Sequence, residues 1–453
     1  MAMGTETAEL TAPASARQPQ AEFVQRAILL GHDPSVLIGD REERRDYTIS
    51  GPEEMRRLFC NATEEQARRR SVTFFQPAHR ARQRLGQGVH DRGEAFTFAG
   101  GSLTEDDRVA MSLHLPLYGR SISVAEKVVK PGERWDVSVR GEDWGLHYRD
   151  ELYVTVNVGR LVLHPGAALI VQGNVFSLLC QECLCLGENL EEYHIGILPT
   201  PFSVDFGHGD HNGSAGKHGS PGQAGADASP VRAQPGFLGY TLQEPLPPGS
   251  GCGTKGQEGT PGEPGGSGRN GGMCYLAELT FRSVQGRLTV CAQAGKGGNG
   301  GAGGDGGDGG NGGNGRDGCA LLSGLLPPGR GGDGGEGGHG GRGGHGGHGG
   351  VSSNIYINVP AGQEGQVRRQ ALSSKGGIAA AGGNGGRGGA GGKGGTACRF
   401  PAPDSEAKPG RSATDGLPGR AGQNGRERAA PAMFLNEELL EERPTTAADP
   451  ADF

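Results

Sequence analysis

Residues 329–350 read GRGGDGGEGGHGGRGGHGGHGG, with glycine in two of every three places. The remaining place carries Arg330, Asp333, Glu336, His339, Arg342, His345 and His348. A period of three leaves whole faces of an extended chain without a Cβ, and another backbone can approach closely there. The same phase recurs in five other blocks. In the first, Gly207, Gly213, Gly216, Gly219, Gly222 and Gly225 keep it, with Asp210 interrupting; in the second it is unbroken from Gly253 to Gly271. The third (295–318) and fifth (375–396) are as dense as the fourth, and the sixth, Gly410 to Gly425, returns to one glycine per triplet. Repeats at a fixed period announce an architecture.

Glycine divides the chain. It supplies 18 of the first 200 residues and 71 of the remaining 253, which places the main boundary near Asp205. Ahead of it, Ser50-Gly51-Pro52-Glu53 reads as a helix start with Ser50 as cap, and Met55, Leu58, Phe59 and Ala62 extend a helix from Gly51 to Arg69. The six arginines of 68–84 read as a solvated basic face or link. From Ser121 short apolar or alternating runs follow one another, separated by Pro-Gly turns at Pro131-Gly132 and Pro165-Gly166. They predict stacked β rungs, as a sandwich or a short solenoid. In Cys180-Gln181-Glu182-Cys183-Leu184-Cys185 the strand alternation puts Cys180 and Cys183 on opposite faces, so buried thiols are preferred to a metal site with His194, His208 or His211.

Between the glycine blocks, Tyr275–Cys291 reads as a β-hairpin, 319–328 as a tight reversal and 354–359 as a strand. Blocks running up and down would put Cys274 and Cys291 at one end and Cys252, Cys319 and Cys398 at the other, as candidate disulfides. Pairing of the third and fourth blocks would bring Asp317 to Arg330, Asp308 to His339 and Asp305 to Arg342. Met433–Glu442 reads as a short amphipathic helix.

The glycine phase over 207–425 resembles the polyglycine II bundles of the snow-flea antifreeze protein and of phage long-tail-fibre tip adhesins, and is similar to the glycine-rich domain of the Obg GTPases. The likeness is one of architecture and carries no functional residues. The expected fold is a mainly β N-terminal domain followed by a bundle of six glycine-rich polyproline II (polyglycine II) helices with β-hairpin connectors. Its parts are a tail (1–20), a mixed α/β region (21–120), a β domain (121–204), the bundle (205–427) and a helix with tail (428–453).

Net charge is −7, which gives no reason to expect nucleic acid, and no apolar run is long enough to insert into a membrane. The N-terminus carries no secretory signal, so a location outside the cell, slightly preferred to the cytoplasm, would need a non-classical route. No nucleophile with its base, phosphate loop, cofactor motif or metal set appears, and the chain reads as non-enzymatic. The preferred reading is a structural slab that associates with copies of itself into a filament, fibre or coat. The alternative is an adhesin-like module whose end loops (226–252, 319–328, 397–409) contact a surface or receptor, and an ice-binding face ranks third.

Overall fold

The computed structural model describes residues 20–74, 97–100, 105–112, 115–146, 151–187, 193–201, 211–398 and 406–439. Two sheets organise it. The larger has nine strands, and its parallel core is β2 (Leu117–Val129), β4 (Leu152–Leu163), β6 (Val175–Cys185), β10 (Ala277–Phe281), β15 (Ile355–Asn358) and β17 (Met433–Leu435). Antiparallel strands close both ends: β1 (Glu42–Ile49) on β2 and β18 (Glu438–Leu439) on β17, while β11 (Val284–Gln285) pairs with β6. The second sheet holds five parallel strands in the order β16 (Val367–Leu372), β12 (Leu288–Gln293), β7 (Ile195–Leu198), β5 (Ala168–Gln172) and β3 (Arg134–Asp136).

Successive pairs β2–β3, β4–β5, β6–β7, β10–β12 and β15–β16 each place one strand in each sheet, so the chain climbs in stacked rungs. The apolar core lies between the sheets. Val154, Phe176, Ala277, Ile355 and Met433 stand in one register row, and Val156, Leu178, Leu279, Ile357 and Leu435 in the next. Gly132 and Gly166, at φ +73° each, turn two stacked corners that a side chain would strain.

The outer face of the large sheet is covered by α1 (Ala21–Leu29), α2 (Pro52–Phe59) and α3 (Glu64–Phe74); α4 (Glu105–Ser112) follows. The single helix expected over 51–69 is two. Gly51, not Ser50, takes the cap position of α2, and the chain breaks at Cys60. Thr63 and Gln66 then restart it reciprocally: Thr63 N donates to Gln66 Oε1 and Gln66 N to Thr63 Oγ1.

The expected fold class is corrected by this arrangement. The chain is an α/β protein built on two large sheets, not a β domain with a six-helix bundle attached. Tyr275–Cys291 forms no hairpin, because β10 joins one sheet and β12 the other, both in parallel pairing. Strands β10 and β12 are buried on both faces and find their partners in the rungs that residues 117–198 begin. Met433–Leu439 is likewise no helix: Met433–Leu435 extends the large sheet and turns back through Asn436 and Glu437, both at positive φ, while residues 440–442 lie outside the described residues. The tail (1–19) and residues 75–84 of the basic run lie outside the described residues.

The glycine blocks form neither helix nor strand. They are extended excursions from the rungs, two blocks out and back between β7 and β10, between β12 and β15, and between β16 and β17. Consecutive blocks run antiparallel, as where Gly304 N donates to Glu263 O and Gly341 N to Gly304 O. Alternate blocks run parallel in two layers: the first, third and fifth (Gly216 N to Ala302 O, Gly303 N to Ala381 O), and the second, fourth and sixth (Gly262 N to His339 O, Gly340 N to Leu417 O). Every one of these bonds is made within one chain.

Candidate binding surfaces

In a dense triplet, one glycine N–H reaches the antiparallel neighbour and the other reaches the parallel one, which leaves the N–H of the third residue facing outward. Side chains of the parallel neighbour accept a number of these N–H groups, in the one-glycine sixth block as in the dense ones. Leu417 N donates to His339 Nδ1 (2.9 Å), Gln423 N to His345 Nδ1 (3.0 Å), Arg426 N to His348 Nδ1 (2.9 Å) and Arg411 N to Asp333 Oδ1 (2.8 Å). The other layer repeats the device, with Asp305, Asp308, Asn311, Asn314 and Asp317 taking N–H groups of the fifth block. This corrects the expected Asp317–Arg330, Asp308–His339 and Asp305–Arg342 pairs: these aspartates serve the fifth block, on the opposite layer. The backbone bond of Thr396, followed by its side-chain bond, holds the Asp317 carboxyl below the usual range; the backbone bond of Arg411 does so for Asp333.

The predicted ridge therefore lies in the middle of a flat outer face. Arg330, Glu336, His339 and Arg342 are exposed there, and Asp333, His345 and His348 are half-buried. Parallel pairing lays Lys408, Arg411, Arg420 and Arg426 of the sixth block beside the ridge, and Lys255 of the second on its other flank.

Side chains cap part of each lattice edge. Outward N–H groups of the fifth block at Ala379, Gly388 and Gly391 end on Asn424, Asp415 and Ser412 of the sixth. In the sixth, Pro409 and Pro418 stand where a donor to a further block would lie and have none to give. At the far side Thr254 and Thr260 hydroxyls accept from Ala226 and Ser220. Among the described residues the strand-rich α/β architecture carries no filament feature, which corrects the filament and self-assembly expectation.

At the end remote from the sheets, two small hairpins meet: β8 (Ala233–Gly236) with β9 (Gly239–Leu242), and β13 (Cys319–Leu321) with β14 (Gly324–Leu326). Leu322 N donates to Tyr240 O and joins them. Neither hairpin contains a charged residue, and their large apolar side chains stand in solvent: Phe237 is 105% exposed and Leu238 79%, with Tyr240, Leu322 and Leu325 above half. Of the third expected end loop, residues 399–405 lie outside the described residues.

All nine cysteines are free thiols. Cys274 is buried in the core, with its Sγ toward Ile197 O, while Cys291 belongs to the other sheet. Cys252, Cys319 and Cys398 lie at the hairpin end without a bridge. Cys180, Cys183 and Cys185 all line the core. The inward set advances by three from Val158 to Leu161 and from Cys180 to Cys183, so the two cysteines share a face that strict alternation would deny them. The bond with Cys180, with burial, pushes the Cys183 thiol well up, and such thiols are inert.

Two buried polar groupings are invisible to sequence spacing. His32 lies between Ser123 Oγ (Nδ1, 2.6 Å) and Ser121 Oγ (Nε2, 2.9 Å), all three closed from solvent. Burial holds the His32 imidazole below its usual range. This is a serine–histidine contact with no access for a substrate, and it ties the end of α1 to the sheet. Arg70 is the second: it meets Glu278 at 2.5 Å and Glu437 at 2.7 Å, over the ring of Tyr356. Among the described residues no three His, Cys, Asp or Glu side chains gather as a metal would require; His208 lies outside them.

Compared with protein-family models, with curated proteins and with solved structures, the chain finds no match.

Proposed function

We propose that the protein is a non-enzymatic binding module in which the sheets and glycine lattice form a stiff arm that displays the paired hairpins at its tip to a partner with an apolar surface. The observation that carries this reading is the solvated apolar front of Phe237, Leu238, Tyr240, Leu322 and Leu325 at one extremity. Exposed large apolar groups clustered on a charge-free segment mark contact sites, and aromatic anchors supply much of the affinity at such sites. The arm adds rigidity, since its backbone bonds leave the hairpins little to order on binding. The side-chain caps along part of both lattice edges support this reading over a self-associating slab.

A photoreactive phenylalanine analogue at Phe237, and separately at Leu322, tests it in the full chain within its native cells. Both positions are expected to yield one adduct of the same mass, lost when Leu238→Ser is added. Absence of an adduct, or equal labelling from Arg387 on the flank, overturns the reading.

A further inference from the structure

We propose that the flat face built by the second, fourth and sixth blocks binds a linear sulfated polysaccharide, independently of the tip. The face is strongly basic although the whole chain is acidic. Its third-position residues include Arg330, Arg342, Lys408, Arg411, Arg420 and Arg426, all exposed. Three acids interrupt them, and two are already engaged: Asp333 accepts from Arg411 N and pairs with Arg330, and Glu258 pairs with Lys255. Arg342, Arg420 and Arg426 make no ion pair with a described residue. The opposite face is different in kind, since there Asp227, Asp305, Asp308 and Asp317 balance Lys296, Lys375, Arg387 and Lys393.

Order and shape select the ligand. Successive third positions recur roughly every 9–10 Å along an extended backbone, and the backbone bonds hold each block in fixed register with its neighbours. A stiff polyanion with regularly repeated oxyanions fits such a grid, and guanidinium groups bind tetrahedral oxyanions through paired hydrogen bonds. The third positions of the face include no Phe, Tyr or Trp, and the Nδ1 atoms of His339, His345 and His348 are engaged by the sixth block, so the broad stacking platform of single-stranded nucleic-acid binders is absent. A flat face also offers no element to enter a duplex groove. Sulfated sugar chains need neither.

The test uses the full chain and heparin as probe, with affinity measured over a series of salt concentrations. Wild type is expected to bind with log affinity falling linearly in log salt. The triple variant Arg342→Gln, Arg420→Gln, Arg426→Gln is expected to bind about tenfold or more weakly with a shallower salt slope. Those side chains take no part in the lattice bonds, and an unchanged melting temperature verifies that the variant is folded. A triple variant of the opposite face, Lys375→Gln, Arg387→Gln, Lys393→Gln, is expected to bind as wild type does. No binding of heparin by wild type, equal loss in both triple variants, undiminished binding of desulfated heparin, or tighter binding of duplex DNA at the same salt each overturns the proposal. The tip variant Leu238→Ser should leave heparin binding intact, which keeps the two surfaces separable.

Discussion

A Cβ added at Gly304 would stand 1.9 Å from Lys217 O, a backbone atom with nowhere to move. Gly304→Ala must therefore separate two blocks or break their bonds, and we expect a loss of about 3 kcal/mol or more in denaturant unfolding. Gly365 is the contrasting case, with open space around it and ordinary backbone. Gly365→Ala should be neutral or stabilise by up to about 1 kcal/mol, through the unfolded chain. The buried histidines give a pH signature. Burial depresses His32 and His194 below the ordinary value near 6.5. The unfolded chain then takes the proton first, so stability present above about pH 6.5 is lost as pH falls toward the lower folded values. Denaturant midpoints should fall between neutral pH and pH 5.5, and His32→Gln should flatten that slope. The glycine phase and the third-position residues were legible in the sequence, because period alone reveals them. The acceptor role of His339, His345 and His348 was not, since it depends on which block lies alongside.

At the scale of elements, α3 and the β17–β18 turn are held together by Arg70. Burial alone would depress its guanidinium, but Glu278 and Glu437 together hold it above its ordinary value. Glu437 sits at φ +67°, an unfavourable place for a side chain that this pairing offsets. Arg70→Met would leave two buried carboxylates uncompensated, with an expected loss of about 3–5 kcal/mol. The triple variant that also converts Glu278 and Glu437 to Gln should recover part of it, read by thermal unfolding. The apolar alternation of 275–291 and 354–359 announced strands correctly. It could not tell a hairpin from two parallel strands in different sheets, because local pattern specifies burial and not partner.

The whole molecule depends on register between blocks far apart in sequence. Removing residues 337–339 from the fourth block alone would leave it one triplet short against four neighbours, since it bonds to the second, third, fifth and sixth. That variant should lose cooperative unfolding. Removing one triplet at the same level from every block (219–221, 259–261, 306–308, 337–339, 385–387 and 415–417) should shorten the arm by roughly 9–10 Å and keep a cooperative melt. Scattering in solution would measure the difference.

By itself the sequence determined where side chains are missing, where apolar residues alternate and where the chain turns, because steric freedom and hydrophobic periodicity are local properties. It left open which segments meet. Segments 275–291 and 354–359 enter two continuous sheets, the ridge gains a basic flank from the sixth block, and two uncharged hairpins combine at one tip. Each of these joins residues tens to hundreds of positions apart. Only the tertiary structure could decide them, since burial and backbone hydrogen bonding are satisfied by whichever distant segment completes the layer.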